Sequence, residues 1–357
     1  MTPTGQPSSS ARDEHWAAPA PTRMPSGDRP TDPSGAEPRF NLVHRLRTQA
    51  GHWSQELVVL AAIVVLFIVV GVVNPMFLST ANVRSIFAGN AYIAVAAIGM
   101  SMVIICGHID VSVGSLIGVL AMVSGSIAVA GYPVWMAWLA PVVIGLLVNA
   151  FMGALVAYGR VPSIVVTLGM YSILKGGLIS VTGGAWISDL PPEFMIAQFR
   201  WFGIPSTVWF MVVMTILAAA WMHYSVHGRS IYALGSNAEA ARAAGIRTGP
   251  TVVMVFAIHG AIAGVASVLF ATQLQVIQST VPSNLELTII TAAVVGGVSI
   301  LGGRGLVVGA TLAAILFATI NSSLIFLNVS AYWLRAVQGL LILGTVLADI
   351  ARRRASR

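Results

Sequence analysis

The stretch Gly107-His108-Ile109-Asp110-Val111-Ser112-Val113-Gly114-Ser115 carries the residue types best suited to chemistry: an imidazole and a carboxylate two residues apart, followed by two hydroxyls. A metal site needs more ligands than these two, so no bound metal is expected. Nucleophilic catalysis needs a base within reach of a nucleophile. Only His108 and His259 qualify as bases, and His259 lies in an apolar run where packing between helices is the simpler role. Two readings stay open. Asp110 is placed to cap a helix beginning near Ser112, bonding amides near Ser112 and Val113. Alternatively, Asp110, Ser112 and Gly114 belong to a gate or solute path, since an acid at a membrane boundary is costly unless solvated or paired.

The elements that hold these groups are membrane spans. Of the 357 residues, 57% are apolar and 9% charged, and the mean hydropathy is +0.85, far from the balance of a soluble domain. Runs of about 18 or more residues with few charges predict an all-α, polytopic protein of about ten spans: 56–73, 88–106, 112–130, 133–158, 164–182, 206–224, 251–272, 288–301, 305–327 and 332–350. The eighth is short and Gly-rich, which suits a broken or re-entrant segment. Its paired glycines, Gly296-Gly297 and Gly302-Gly303, fit either close helix packing or backbone that leaves helical geometry. Glu286, just before it, reads as a solvated terminus. Cys106, the single cysteine, reads as packing at a span end.

Between the sixth and seventh spans a polar island, residues 224–250, interrupts the apolar sequence. Ser236 or Asn237 can cap a short helix there, Glu239 sits in its first turn where the helix dipole favours an acid, and Gly245 supplies a left-handed stop. Glu239 and Arg242 share one side, with Ala240, Ala241 and Ala244 opposite. Such a helix has no large side chain to bury and is shaped to meet another surface.

Basic residues near span ends are retained in the cytoplasm. With the N-terminus inside, Arg39, Arg45, Arg47, Arg160, Arg229, Arg242, Arg247, Arg304 and Arg352 to Arg354 are cytoplasmic, against Arg84 and Arg200 outside, with Arg335 near that boundary. The formal charge of +7 and pI of about 10.2 then report topology and attraction to anionic lipid, and no nucleic-acid partner is expected. Residues 1–38 are rich in Pro, Ser, Thr, Gly and Ala and read as a disordered cytoplasmic tail. They lack the apolar core of a cleavable signal, so the first span would serve as targeting signal. Residues 39–350 form the transmembrane body and 351–357 a basic cytoplasmic C-terminus. A phosphate-binding loop requires Gly-Lys-Ser/Thr; Leu174 precedes the only lysine, Lys175, so any ATPase is another polypeptide.

Several ordered motifs carry a resemblance over roughly Asn74 to Asp349: NPMFLSTANV at 74–83, GHIDVSVGS at 107–115, GRVPSIVVTLG at 159–169, LKGG at 174–177, ALGSNAEAARAAGI at 233–246 and VVGGVSILGGRG at 294–305. Together they resemble the permease subunits of ribose-type sugar ABC importers, in the superfamily of branched-chain amino-acid permeases. The resemblance implies the importer permease fold in a bacterial inner membrane, a second permease subunit, an extracytoplasmic solute-binding protein and a cytoplasmic ATP-binding subunit. ATP and Mg would be used by that subunit, and no cofactor by this chain. It also implies a monosaccharide cargo, such as a pentose or deoxyhexose. Glu239, Ala240, Ala241 and Gly245 match the family's ATPase-coupling helix, with Gly235 and Arg242 in the same motif. Asp110, Ser112 and Gly114 match its I-D-L-S-V-G element. Lys175 falls where relatives carry a basic residue before Gly; its own chemistry reads as snorkelling toward the outer interface. His108, Thr288 and Asn321-Ser322-Ser323 depart from the pattern and leave the sugar open.

An uncharged sugar needs neutral hydrogen-bond formers along its path, for which Asn90, Asn149, Asn321, Ser322 and Gln338 are candidates; each could equally pair with a neighbouring helix. The competing function is ATP-independent secondary transport of a small polar solute. That calls for intramembrane acids, whereas Asp and Glu here cluster at expected span ends.

Overall fold

Apolar runs of 19 to 26 residues form helices because nothing within the hydrocarbon satisfies a backbone amide except the helix itself. The computed structural model describes residues 54–195, 199–273, 276–279, 284–330 and 332–355. The expected disordered tail lies outside them, as do the side chains of the basic C-terminus. The chain divides into Met1–Arg47 and Thr48–Arg357, and all described residues fall in the second unit.

The helices are α1 (Ser54–Val73), α2 (Thr80–Gly89), α3 (Ala91–Ile105), α4 (Val113–Val129), α5 (Val134–Ala157), α6 (Ser163–Thr182), α7 (Ser206–Tyr224), α8 (Val226–Ser236), α9 (Ala238–Ala243), α10 (Thr248–Ala271), α11 (Leu285–Val295), α12 (Val307–Phe326) and α13 (Trp333–Ala355). Seven helical stretches are long and apolar enough to cross a membrane, counting α2 and α3 as one. Three shorter apolar helices, Val113–Val129, Leu285–Val295 and Trp333–Leu347, complete the expected ten segments. The only sheet among the described residues is a hairpin of β1 (Arg200–Trp201) and β2 (Ile204–Pro205).

Two spans differ from expectation. The second begins earlier and bends: Ser79 caps α2 by accepting the Asn82 amide at 3.4 Å, and Asn90 breaks the helix, turning its side-chain amide back to the Ile86 carbonyl at 3.2 Å. The eighth, α11, starts at left-handed Asn284 (φ 66°) and has 11 residues. At 1.5 Å each it spans about 16 Å, roughly half the hydrocarbon thickness.

Burial sorts the helices. Every residue of α3 except Ile93 is buried, as expected of a helix apolar all round at the centre of a bundle. Around it α10 packs most extensively on α5, then on α3 and α4. By contrast α1, α5, α6 and α7 turn large apolar side chains outward, the surface a bilayer covers.

Loop contacts define the two ends of the bundle. At one end the Gly303 amide donates to the Ile105 carbonyl at 2.8 Å and the Tyr232 hydroxyl to the Gly305 carbonyl at 2.8 Å. This joins the α3–α4, α8–α9 and α11–α12 connections. A cleft of about 370 Å³ lined by Gly107, His108, Arg160 and Ser163 adds the α5–α6 connection to the same end. At the other end Ile187 and Ile277 exchange backbone hydrogen bonds at 2.9 Å. The connections at the first end carry Arg160, Arg229, Arg242, Arg247 and Arg304.

Candidate functional site

The polar island folds into two short helices joined by one capping residue. Ser225 caps α8 by accepting the Gly228 amide at 2.8 Å. Asn237 then ends α8 and starts α9, its Oδ1 accepting the amides of Glu239 and Ala240, each at 3.0 Å. Of the two caps offered by the sequence, Asn237 is used; Ser236 instead returns its hydroxyl to the Tyr232 carbonyl at 2.8 Å. Gly245 ends α9 at φ 84°. Its amide donates to the Arg242 carbonyl at 3.0 Å and the Ile246 amide to the Ala241 carbonyl at 3.0 Å, the paired bonds of a Schellman stop. Only Ala241 turns into the protein; Glu239, Ala240, Arg242, Ala243 and Ala244 are exposed. A six-residue helix with one buried alanine owes its shape to its caps, and it presents a small-residue surface beside one acid and one base.

Gly235 ties this hairpin to the bundle. A side chain there would collide with the Ile105 carbonyl and meet the Gly303 amide at 2.8 Å. Across the same contact a Cβ on Gly302 (φ 79°) would meet the Gly235 carbonyl at 2.8 Å and the Gly107 Cα at 3.1 Å. Three backbones therefore touch with no side chains between them, α8 resting directly on the loop that leads to His108 and Asp110. Tyr232 braces the contact through Gly305, and burial raises its phenol pKa above the usual value. The sequence offered no signal for Tyr232 beyond an aromatic within a polar segment.

Asp110, two residues beyond His108, is fully buried. Its Oδ1 accepts the Ser112 amide at 2.8 Å and the Ser112 hydroxyl at 2.6 Å. That is half of the expected cap; α4 begins only at Val113. Oδ2 faces His259 Nε2 at 3.3 Å, with both side chains wholly inside. The contact is an ion-pair approach rather than a well-aimed hydrogen bond. His259 lies near the middle of α10 and rests against Gly99 of α3, where a Cβ would come within 2.5 Å of Nδ1. The sequence reading of His259 as packing between helices omitted its carboxylate partner. Nothing in a linear pattern joins positions 149 residues apart.

His108 points elsewhere. Its ring lies 6.0 Å from that of Phe256 and lines the cleft with Arg160, and burial lowers its pKa below the ordinary histidine value. Among the described residues no three of His, Cys, Asp and Glu converge on a point.

The expectation that acids sit at solvated span ends is corrected. Asp110, Glu56 and Glu286 are all buried. For Asp110 and Glu286 the reason is packing: the residues at the starts of α4 and α11 meet each other, Gly114 against Glu286. Gly114 of α4 abuts Glu286 in the first turn of α11, with 2.9 Å from its would-be Cβ to the Glu286 amide.

The neutral path candidates are scattered. Asn90 is spent on the bend, Ser322 donates to Asn82 Oδ1 at 2.8 Å, and Gln338 donates to Thr288 Oγ1 at 3.4 Å. Asn321 is half-buried on α12. Asn149 is fully enclosed where α5 meets Gly260 of α10, and neither of its amide atoms has a described hydrogen-bond partner. None of the five lines the cleft at Gly107 and His108.

Residues 82–346 match the family described as branched-chain amino acid transport system / permease component. The chain is 36% identical over 297 residues to the autoinducer 2 import system permease protein LsrC of Salmonella typhi, covering 83% of this chain and 86% of that protein. It is 34% identical to the protein of the same name from Shigella flexneri and 33% identical to that from Escherichia coli O9:H4, each covering 83% of this chain and 87% of the relative. No solved structure matches.

Proposed function

Since the chain belongs to the branched-chain amino acid transport system / permease component family, we propose that it forms the translocation path of an ATP-driven importer for a sugar-like solute. It is a multi-pass inner-membrane transport subunit without an ATPase site of its own. The relatives are named for autoinducer 2 import, which favours a small polyhydroxylated signalling solute as cargo over a plain pentose or deoxyhexose. Its partners would be a cytoplasmic ATPase, an extracytoplasmic solute-binding protein and a second permease subunit. The arginine-bearing end of the bundle faces the cytoplasm in this reading.

One observation carries the coupling half of the proposal: α9 is exposed on all but one residue, yet through Gly235 it leans directly on the backbone of the α3–α4 and α11–α12 connections. An ATPase that pushes on α9 therefore moves the loop that holds Asp110, and with it the start of α4. Uptake of autoinducer 2, ribose and related sugars by cells expressing the chain with its ATPase and binding protein tests this. One solute should be taken up by the parent and lost with Glu239→Lys while ATP hydrolysis persists; undiminished uptake in the variant removes α9 as the docking helix.

The buried Asp110–His259 pair supports a second reading, ATP-independent transport coupled to protons, because an intramembrane acid and base are its usual equipment. Uptake abolished by a protonophore at constant ATP would select it.

A further inference from the structure

α6 is the least buried of the long apolar helices, with 11% of its span inside the protein, yet it carries the chain's only lysine. Lys175 stands seven residues from the nearer helix end, about 10 Å of rise. Snorkelling would send its ammonium toward that end. Instead Nζ donates to the Tyr171 hydroxyl at 2.8 Å, toward the residue one turn closer to the start of α6. The charge is thus drawn toward the middle of the helix and away from the interface its stem could reach. Lys175 remains exposed, and Gly176 and Gly177 beside it face open space, with no other described atom within 4 Å of a would-be Cβ. An ammonium held toward the bilayer centre costs about 2.5–3.5 kcal/mol on insertion scales, and lipid supplies nothing to offset it.

We infer that the Tyr171–Lys175 face of α6 lines the water-filled path, where the ammonium offers hydrogen-bond donors to a neutral hydroxylated or anionic solute and turns cations away. This rests on the permease reading and deepens it: the path runs along α6, not past the asparagines that the sequence suggested. The ammonium has three donors and the phenol both donates and accepts, a set that suits solute hydroxyls. Ile173, on the opposite side of α6 and exposed, is the lipid-facing reference.

The single cysteine, Cys106, is buried, so Cys106→Ala provides a clean background for thiol labelling in the assembled transporter in liposomes. Membrane-impermeant methanethiosulfonates, one cationic and one anionic, are the probes. A thiol reacts as its thiolate, which forms in water and not in hydrocarbon. Cysteine at 175 or 171 should therefore react about tenfold or more faster than cysteine at 173. With Tyr171→Cys, the anionic reagent should be favoured while Lys175 is present, and Lys175→Met should erase most of that preference. Slow labelling equal to that at 173, a 175–175 disulfide between two copies without labelling, or a charge preference indifferent to Lys175 would each overturn the assignment. Labelling needs neither ATP nor known cargo, so fast labelling of Lys175→Cys and Tyr171→Cys in a transporter whose parent shows no ATP-driven uptake would count against the importer reading and leave this one standing.

Discussion

Removing His259 tests whether the buried pair is ionic. Asp110 is wholly enclosed; Oδ1 has two bonds from Ser112, and Oδ2 faces only the imidazole at 3.3 Å among the described residues. His259→Ala would strand a carboxylate that α10 and α5 keep from water. Breaking a buried ion pair by deleting one partner costs about 3–5 kcal/mol, so the folded-to-unfolded ratio should fall by more than about a hundredfold at a fixed denaturing condition. Asp110→Asn keeps the shape and an acceptor for Ser112 while discarding the charge. The double variant should therefore be less destabilised than the sum of the singles, with a coupling of about 2–3 kcal/mol. Reversible unfolding of the four proteins by SDS in mixed micelles, followed by tryptophan fluorescence, reads this directly. A cost below about 1 kcal/mol for His259→Ala, or additivity within about 0.5 kcal/mol, would mean that the pair is a neutral contact and that the ionic argument is wrong.

Gly235→Ala drives its Cβ into the backbone carbonyl of Ile105 where α8 leans on the bundle, so the contact must open; the expected outcome is uptake reduced about tenfold or more together with a lower unfolding midpoint, checked by uptake and thermal unfolding of the same variant, and unchanged uptake would remove this contact from the coupling path. Asn237→Ala removes the acceptor for the Glu239 and Ala240 amides and should loosen α9 by about 1 kcal/mol, seen as faster hydrogen exchange over 238–245 with the transmembrane helices unchanged. Burial lowers the His108 pKa, so the unfolded chain binds more protons than the folded one as pH falls through about 6.5. Stability contributed by neutral His108 is present above that value and lost below it. His108→Gln should flatten the acid limb of a thermal-unfolding profile, and an unchanged limb would show that His108 stays solvated.

The helical class, the number of apolar segments and the short helix α9 were legible because each is written locally. A membrane span must be continuous in sequence since its backbone bonds close within one segment. Asn237, Glu239 and Gly245 announce a helix start and stop because caps act over three or four residues. The break at Asn90 was missed for a related reason: apolar residues continue on both sides, and one side-chain amide turned onto its own helix leaves no trace in hydropathy.

Charge placement was another matter. Glu286 looked like a solvated terminus because helix ends normally reach water, and only the packing of α4 against α11 shows that it is buried. The buried contact joins residues 110 and 259, and the backbone contact joins Gly107, Gly235 and Gly302, positions that become neighbours only when the helices close around α3. The direction of the Lys175 side chain is likewise a matter of rotamer and partner. Sequence alone determined that this chain lives in a membrane and where a short capped helix stands between two spans, because solvation and capping are short-range. Which polar groups pair, which are enclosed and which face an open side was decided by the tertiary structure, because burial is a property of neighbours brought from far along the chain.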